Sequence, residues 1–398
     1  MDERTFERLL AEDLEWQKSV HRYRRLRVVR AIDATHLEFE GRRYVNFASN
    51  DYLGLTHHPR LIAAAREAAA AWGTGSGAAA LISGYGEAHR DAEEAIARWK
   101  GTESAVLLPS GYQANHAAVQ AIAAMSNGLG GDVRFLLDKL VHASLIDAVR
   151  ATELPRRVFP HNHLPKLRRL LEEADDDQLQ VVVTESIFSM DGDAADLAGL
   201  GELKRQRPFV LLLDEAHGGG VYGPQGGGYA AEAGLAGIAD VTIVTLSKAL
   251  GGIGGAVCGS NLLCEAVVNH ARAFIFSTGV PASVAAVAKE AIAVMTDEPW
   301  RQQRVRELAG RTRAELRRAG LSIPDGDSPI VPLVVGDESA ALRAAEQLRE
   351  KGMFVVAVRP PTVPRGSSRI RVTLSSAHTD EEVAALIAAL KDLWPSTA

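Results

Sequence analysis

Two apolar runs of this chain end in residues that could do chemistry. Residues 209–213 lead into Asp214-Glu215-Ala216-His217, and residues 241–245 lead into Leu246-Ser247-Lys248 followed by Ala249-Leu250-Gly251-Gly252. Short apolar runs of this kind read as buried strands, so a carboxylate and an amine are expected at neighbouring strand ends. An amine that is partly buried beside cationic groups loses its proton more easily and serves as a nucleophile and then as a base. A carboxylate against a ring nitrogen keeps that nitrogen protonated. Pyridoxal phosphate needs both groups, an amine for its aldehyde and an anion for its ring. Lys248 is therefore the candidate Schiff-base lysine and Asp214 the candidate partner of the pyridine nitrogen. The plainer readings are a surface lysine and an aspartate that caps a helix. His217, which could donate to a phenolic oxygen, and the glycines at 218–220 and 251–252 weigh against them.

Other stretches add candidates. Ser110-Gly111-Tyr112 follows one apolar run and opens a helical one, and exposed N–H groups at a helix start attract phosphate. The Thr245 hydroxyl could join the same anion. His142 opens another helix; a lone histidine is more often a cap or a core residue, but in a pyridoxal phosphate site it could stack on the ring. Arg359, Arg365, Arg369 and Arg371 lie close together in sequence. Arg369 and Arg371 share one strand face, and a guanidinium suits bidentate binding of a carboxylate. Residues 73–78, Gly-Thr-Gly-Ser-Gly-Ala, match a loose dinucleotide pattern, yet they follow a helix rather than a strand, which is the wrong context.

Elements of a consistent kind are expected around these residues. Strands at 105–108, 133–137, 158–160, 181–185, 209–213 and 241–245 alternate with helices at 112–125, 142–150 and 166–173. Near-continuous apolar strands alternating with helices indicate an α/β fold, a mainly parallel sheet covered on both faces. Earlier, residues 3–30 read as one charged amphipathic helix running into a basic stretch. A hairpin follows at 37–47 with Glu40-Gly41 at its turn, and a helix at 59–72. After residue 285 a long helical stretch to Arg318 leads to strands at 330–335, 353–358 and 368–374 and a final helix at 381–393. The expected division is an N-terminal extension over 1–45, a large cofactor-binding domain over 46–285 and a small α+β domain over 286–398.

Composition sets outer limits. With 398 residues, 46% of them apolar and 24% charged, the chain has the make-up of a soluble enzyme. A net charge of −6 gives no reason to expect nucleic acid. Only nine of the 44 basic residues are lysines, so a lysine at a strand end stands out. Cys258 and Cys264 match neither a redox pair nor a zinc site. No metal is expected. The charged first residues do not resemble a signal peptide, and no apolar run nears the ~20 residues of a spanning helix. A cytoplasmic protein is expected.

Several stretches together resemble the α-oxoamine synthases, fold-type-I pyridoxal phosphate enzymes that join an amino acid to an acyl thioester and release carbon dioxide. They are residues 50–55 (Asn-Asp-Tyr-Leu-Gly-Leu), 83–85, 110–115 (Ser-Gly-Tyr-Gln-Ala-Asn), 138–144, 184–192 (Thr-Glu-Ser-Ile-Phe-Ser-Met-Asp-Gly), 214–218, 245–252 and 276–278. They cover nearly the whole chain in order. The stretch 359–364, Arg-Pro-Pro-Thr-Val-Pro, supported by residues 368–374, resembles the member that condenses L-alanine with a pimeloyl thioester for biotin synthesis, the thiol being coenzyme A or a carrier protein. Its rivals are a relative such as a glycine C-acetyltransferase, an aminotransferase of the same fold and, from another class, a nicotinamide oxidoreductase. The resemblance implies that Lys248 carries the cofactor, Asp214 meets its ring nitrogen and His142 stacks on the ring. Ser189 or Ser186, with His217, would lie near the phenolic oxygen; position relative to Glu185 favours Ser189. Gly111, Tyr112 and Thr245 would bind the phosphate. Ser277 and Thr278 would reach the phosphate in a partner subunit, which implies a homodimer with shared sites. Arg371 would hold the amino-acid carboxylate, and Arg24 and Thr362 would touch the acyl substrate.

Overall fold

The computed structural model describes residues 3–128, 132–175 and 178–394. They form two compact units, a larger one of residues 50–189 and 193–306 and a smaller one of residues 1–49, 190–192 and 307–398.

The larger unit is built on a seven-stranded sheet. In spatial order its strands are Ser104–Leu108, Gly255–Gly259, Val241–Thr245, Val210–Asp214, Leu179–Glu185, Val133–Asp138 and Arg156–Phe159. Gly255–Gly259 runs antiparallel to both of its neighbours, and the remaining pairs are parallel. The α/β class read from the strand–helix alternation is the fold observed. The apolar runs are continuous because both faces are covered. Val181, Val183 and Leu212 pack into one apolar cluster with the helices Gly111–Ala123 and Ala143–Ala151. Val182, Leu211 and Leu213 point the other way, onto the helices Leu164–Glu172 and Leu197–Gln206. Each such aliphatic side chain, fully buried, contributes roughly 1.5–3 kcal/mol. The parallel strands place Asp138, Glu185, Asp214 and Thr245 at their carboxyl ends, the edge at which open α/β sheets bind ligands.

Gly255–Gly259 escapes a sequence reading because two glycines bound a run of only three apolar residues. The structure explains the first of them. A Cβ on Gly255 would stand 2.6 Å from the Cα of Gly111, so the start of the helix Gly111–Ala123 rests directly on strand backbone.

In the smaller unit the hairpin forms as expected, His36–Phe39 against Arg42–Asn46. Glu40 and Gly41 both take positive φ, 50° and 74°, as a type I′ turn requires. The first helix ends at Ser19, and Val29–Ala31 is a strand on the hairpin's edge rather than helix. The run 353–358 is not one strand. Met353–Phe354 joins the hairpin sheet beside Arg42–Asn46, while Val356–Val358 pairs with Ser368–Thr373 in a second sheet that includes Ile330–Gly336. This pairing with Met353–Phe354 groups residues 1–49 with the C-terminal segment, so they are not a separate extension. The helical stretch after 285 is two helices, Ala282–Asp297 and Trp300–Arg318, interrupted at Pro299, and the larger unit extends to residue 306. Among the described residues, no helix is long and apolar enough to cross a membrane.

Candidate active site

At the carboxyl edge of the large sheet lies a cavity of about 220 Å³ lined by Ser110, Gly111, Tyr112, Asn115, His142, Ser144, Glu185, Asp214, Ala216, His217, Ile243, Thr245, Ser247 and Lys248. The thirteen expected site residues fall into three groups. Gly111, Tyr112, His142, Asp214, His217, Thr245 and Lys248 share this cavity. Ser189, Ser277 and Thr278 belong to the larger unit but do not line it. Arg24, Thr362 and Arg371 belong to the smaller unit.

Asp214 ends its strand inside the sheet and is held on both oxygens. The Ala216 N–H donates to Oδ1 at 2.9 Å and the Asn115 amide to Oδ2 at 2.9 Å. The same amide donates to the Ser144 hydroxyl at 2.8 Å, and that hydroxyl bonds His142 Nδ1 at 2.8 Å. Asn115 lies four residues after Gly111, one turn along the helix and on the same face. That spacing was available in the sequence, although it assigns Asn115 no role by itself. The Asn115 carbonyl oxygen is buried without a hydrogen-bond partner.

His142 caps the helix Ala143–Ala151 by accepting the Ser144 N–H. Its ring remains accessible from the cavity. Burial of its surroundings lowers its pKa, Asp214 opposes that shift and Lys248 adds to it. A neutral imidazole is the result. His217 Nδ1 meets the Tyr52 hydroxyl at 2.6 Å in the buried floor. Tyr52 is a partner that sequence reasoning did not identify.

Glu185 was quoted in the sequence pattern without a function. It is the cross-strand neighbour of Asp214 and is enclosed, with 2% exposure. Burial and then the charge of Asp214 push its carboxyl well above the ordinary range, with Lys248 acting in the opposite sense. Its Oε1 is buried without a hydrogen-bond partner. The two adjacent carboxyls differ in their surroundings: Asp214 receives donors on both oxygens, whereas Glu185 has a backbone bond from His142 and an unpartnered Oε1, and its burial favours the protonated form.

The phosphate end of the expected site has a physical basis. Ser110 caps the helix Gly111–Ala123 by accepting the Gln113 N–H at 3.1 Å. Thr245 Oγ1 stands where a Cβ on Gly111 would approach to 3.2 Å, and it bonds the Ser247 hydroxyl at 2.8 Å. Of the two serines near 185–189, Ser186 is fully buried and donates to Glu215 Oε2 at 2.8 Å, whereas Ser189 is half-buried. Ser277 accepts from the Gln113 side chain at 3.1 Å, and Thr278 is exposed and bridges to Ala79. In the smaller unit, Arg371 is buried in the strand Ser368–Thr373 and donates to Thr373 Oγ1 at 3.1 Å. Its neighbour on the same face, Arg369, is ion-paired with Asp191. Arg24 and Thr362 are exposed; burial and then the charges of Arg24 and Arg27 lower the pKa of Arg359.

These residues suit a phosphorylated pyridine. The cavity holds an amine, a carboxylate fixed by two donors, an open imidazole face and a helix start with bare backbone, and the orphaned Asn115 oxygen marks a polar interior. The model of the aminotransferase class I and II family matches residues 42–390. The chain belongs to that family. Within it, the chain is 38% identical over 390 residues to the 8-amino-7-oxononanoate synthase of Cellvibrio japonicus, covering 98% of this chain and 96% of that one. It is 41% identical over 388 residues to the enzyme of the same name from Stutzerimonas stutzeri, covering 97% and 96%. Among solved structures, SPT with a PLP internal aldimine superposes with a TM-score of 0.89 at 26% identity, over 99% of this chain and 98% of that one. The similarity to these relatives and to that structure thus extends over nearly the whole chain.

Proposed function

We propose that this chain is a pyridoxal phosphate enzyme that condenses L-alanine with a pimeloyl thioester, releasing carbon dioxide and the thiol and forming 8-amino-7-oxononanoate for biotin synthesis. The observation that carries the reading is a single cavity containing Lys248, Asp214, His142 and the Gly111 helix start. The near full-length identity to 8-amino-7-oxononanoate synthases supports the choice of reaction.

Bound pyridoxal phosphate supplies an aldehyde for amines and a protonated ring that spreads the negative charge developing at the substrate α-carbon. The protein's residues do the rest. Lys248 Nζ would hold the cofactor through its aldehyde and, as a free amine, would accept the α-proton of alanine. Asp214, fixed by Asn115 and the Ala216 N–H, keeps the ring nitrogen protonated. Burial beside Asp214 favours the protonated form of Glu185. His142 covers one face as an uncharged plane, and His217 and Ser189 serve the phenolic oxygen. Gly111, Tyr112 and Thr245 hold the phosphate through backbone and hydroxyl groups.

Arg371 orients the alanine carboxylate, and Arg24 and Thr362 contact the acyl chain. The α-carbon bonds to the thioester carbonyl carbon as the carbon–sulfur bond breaks, and the thiol leaves as a thiolate that takes its proton from solvent. The carboxylate then departs as carbon dioxide, and Lys248 is placed to return a proton to that carbon. Ser277 and Thr278 act in the site of a second copy in a homodimer. Exposed Leu81, Ile82 and Phe276, on segments adjoining the Ala79–Thr278 bridge, support such a surface. A reducing cytoplasm suits the two buried thiols, Cys258 and Cys264.

The deciding experiment is mass analysis of the product from purified protein, L-alanine and pimeloyl-coenzyme A or pimeloyl carrier protein. The expected product is 8-amino-7-oxononanoate with one carbon dioxide per thiol released. Turnover of glycine with acetyl-coenzyme A and none of alanine would instead identify a glycine C-acetyltransferase.

A further inference from the structure

Away from the cavity lining, a histidine lies between two aspartates. His161 Nδ1 is 3.0 Å from Asp138 Oδ1, and Nε2 is 2.7 Å from Asp193 Oδ2. Neither the residue nor the contact belongs to the machinery described above. We propose that His161 is a positioning residue: by bonding Asp138 and Asp193 together, its ring fixes the two segments that carry His142 and Ser189.

The first segment begins at Asp138, the last residue of its strand, whose side chain is 1% exposed. Its Oδ1 accepts the Leu140 N–H at 2.8 Å as well as His161, and its Oδ2 accepts the Asn162 N–H at 2.9 Å. These bonds shape the turn from the strand to His142, four residues on. The second segment is closed by short bonds. The Phe188 N–H donates to the Asp193 carbonyl at 2.9 Å, and the Ala195 N–H to the Ser186 carbonyl at 3.0 Å. Asn162 adds a bond from its amide to the Ala194 carbonyl at 2.9 Å. Asp193 Oδ1 is buried without a hydrogen-bond partner, so this carboxylate is held through Oδ2 by its bond to His161. The Phe188 ring stands edge-on to the imidazole, centroids 4.3 Å apart at 83°, and Ser189 is the next residue.

A neutral imidazole has one donor and one acceptor, so it can donate to only one of two carboxylates. Both bonds are made when both nitrogens carry protons. Burial opposes that charge, but the bonds His161 donates to Asp138 and Asp193 outweigh it and push its pKa up to about 10. The ring therefore stays an imidazolium at neutral pH. Its contribution to stability is present in full below the ordinary value of 6.5 and is lost as pH rises through about 10. A charged brace of this kind holds two segments in one arrangement, and small displacements of catalytic groups cost about 10²-fold.

The inference rests on the roles proposed for His142 and Ser189, and its test includes measurements that do not depend on the acyl reaction. In the full chain loaded with pyridoxal phosphate, His161→Gln should keep cofactor stoichiometry while weakening the visible circular dichroism of the bound cofactor. Its kcat should fall about 10- to 100-fold with KM for alanine changed less than about threefold. Asp193→Asn, which keeps an oxygen acceptor for Nε2, should move both readouts in the same direction but less. In the wild-type chain, ring NMR shifts should show His161 charged up to about pH 9. A ring that titrates near its ordinary value overturns the proposal. So does a variant with wild-type dichroism and kcat and only a lower melting temperature, since that is a fold brace without a role at the site. If His161→Gln does not fold, Asp193→Asn and the NMR titration decide. Should the wild-type protein condense no alanine while the dichroism and NMR results hold, the reaction assignment falls and the placement of His161 stands.

Discussion

Around Arg313, in the smaller unit, backbone carbonyls meet the terminal nitrogens of a buried charge. The guanidinium is fully enclosed and gives its two terminal nitrogens to the carbonyls of Ser328 and Ile330. His378, in the same unit, is treated alike: the Ser375 N–H donates to its Nδ1, its Nε2 meets the Asn46 carbonyl at 3.2 Å, and its ring stacks on Phe47. Around Lys248, in the larger unit, the buried polar groups turn towards a cavity instead. His142 keeps a face accessible, and oxygens of Asn115 and Glu185 have no hydrogen-bond partner. Burying polar groups costs free energy unless they are bonded. Arg313 and His378 meet much of that cost from nearby backbone, although Ser368 Oγ of the same unit is buried without a hydrogen-bond partner; around Lys248 the unpartnered oxygens belong to residues that line a cavity, where a ligand can meet them. The same residue types therefore mean packing in one region and chemistry in the other, and the difference lies in whether fixed dipoles surround them.

Substitutions can break this contrast. The largest effect is expected from Lys248→Ala, which should lower turnover at least about 10³-fold with little change in melting temperature. Retention of a tenth of the wild-type rate would show that the cavity is not the reaction centre. Asp214→Asn should bind cofactor but lose about 10²-fold in kcat, measured by thiol release. In the other region the loss should appear in stability. Arg313→Met strands two buried carbonyls and should cost about 2–4 kcal/mol in urea unfolding, with the kcat of the folded fraction retained; a stability equal to wild type would remove Arg313 from the comparison.

Two smaller effects sharpen it. Burial, opposed by its bonds to Asn46 and Ser375, pushes the pKa of His378 down to about 4 from 6.5. The fold favours the neutral ring, so this contribution is present above pH 6.5 and lost as pH falls towards 4. Between pH 7 and 4.5 it amounts to roughly 2–3 kcal/mol, and His378→Asn should lack this share of the acid-induced loss in paired urea titrations. Glu185→Gln, a close mimic of a neutral acid, should change kcat less than about threefold. A large fall would mean that Glu185 works as an anion.

Much of the larger unit was legible. Val241–Thr245 is the strand its apolar run describes, and the helix Pro59–Trp72 has the bounds that its alanine-rich run gives. Both carry strong local signals. Gly255–Gly259 carried none, since its glycines are required by the approach of Gly111 rather than by a local preference. The run 353–358 looked like one strand because pattern reports burial and not partner; its two halves bond to different sheets. At the site, reactive residues were visible and their supports were not. Asn115, Tyr52 and His161 act on residues 99, 165 and 23 to 32 positions away, separations at which a linear pattern carries no information.

The sequence by itself determined which groups can react and at which strand ends they lie, because apolar runs and their terminating residues are local facts. Only the tertiary structure decided which of them share a cavity and in what state. Whether Glu185 is an acid or an anion, and whether His142, His161 and His378 are neutral or charged, depends on burial and on neighbours brought from distant parts of the chain. Those fields act through space over a few ångströms, and only the folded backbone sets such distances.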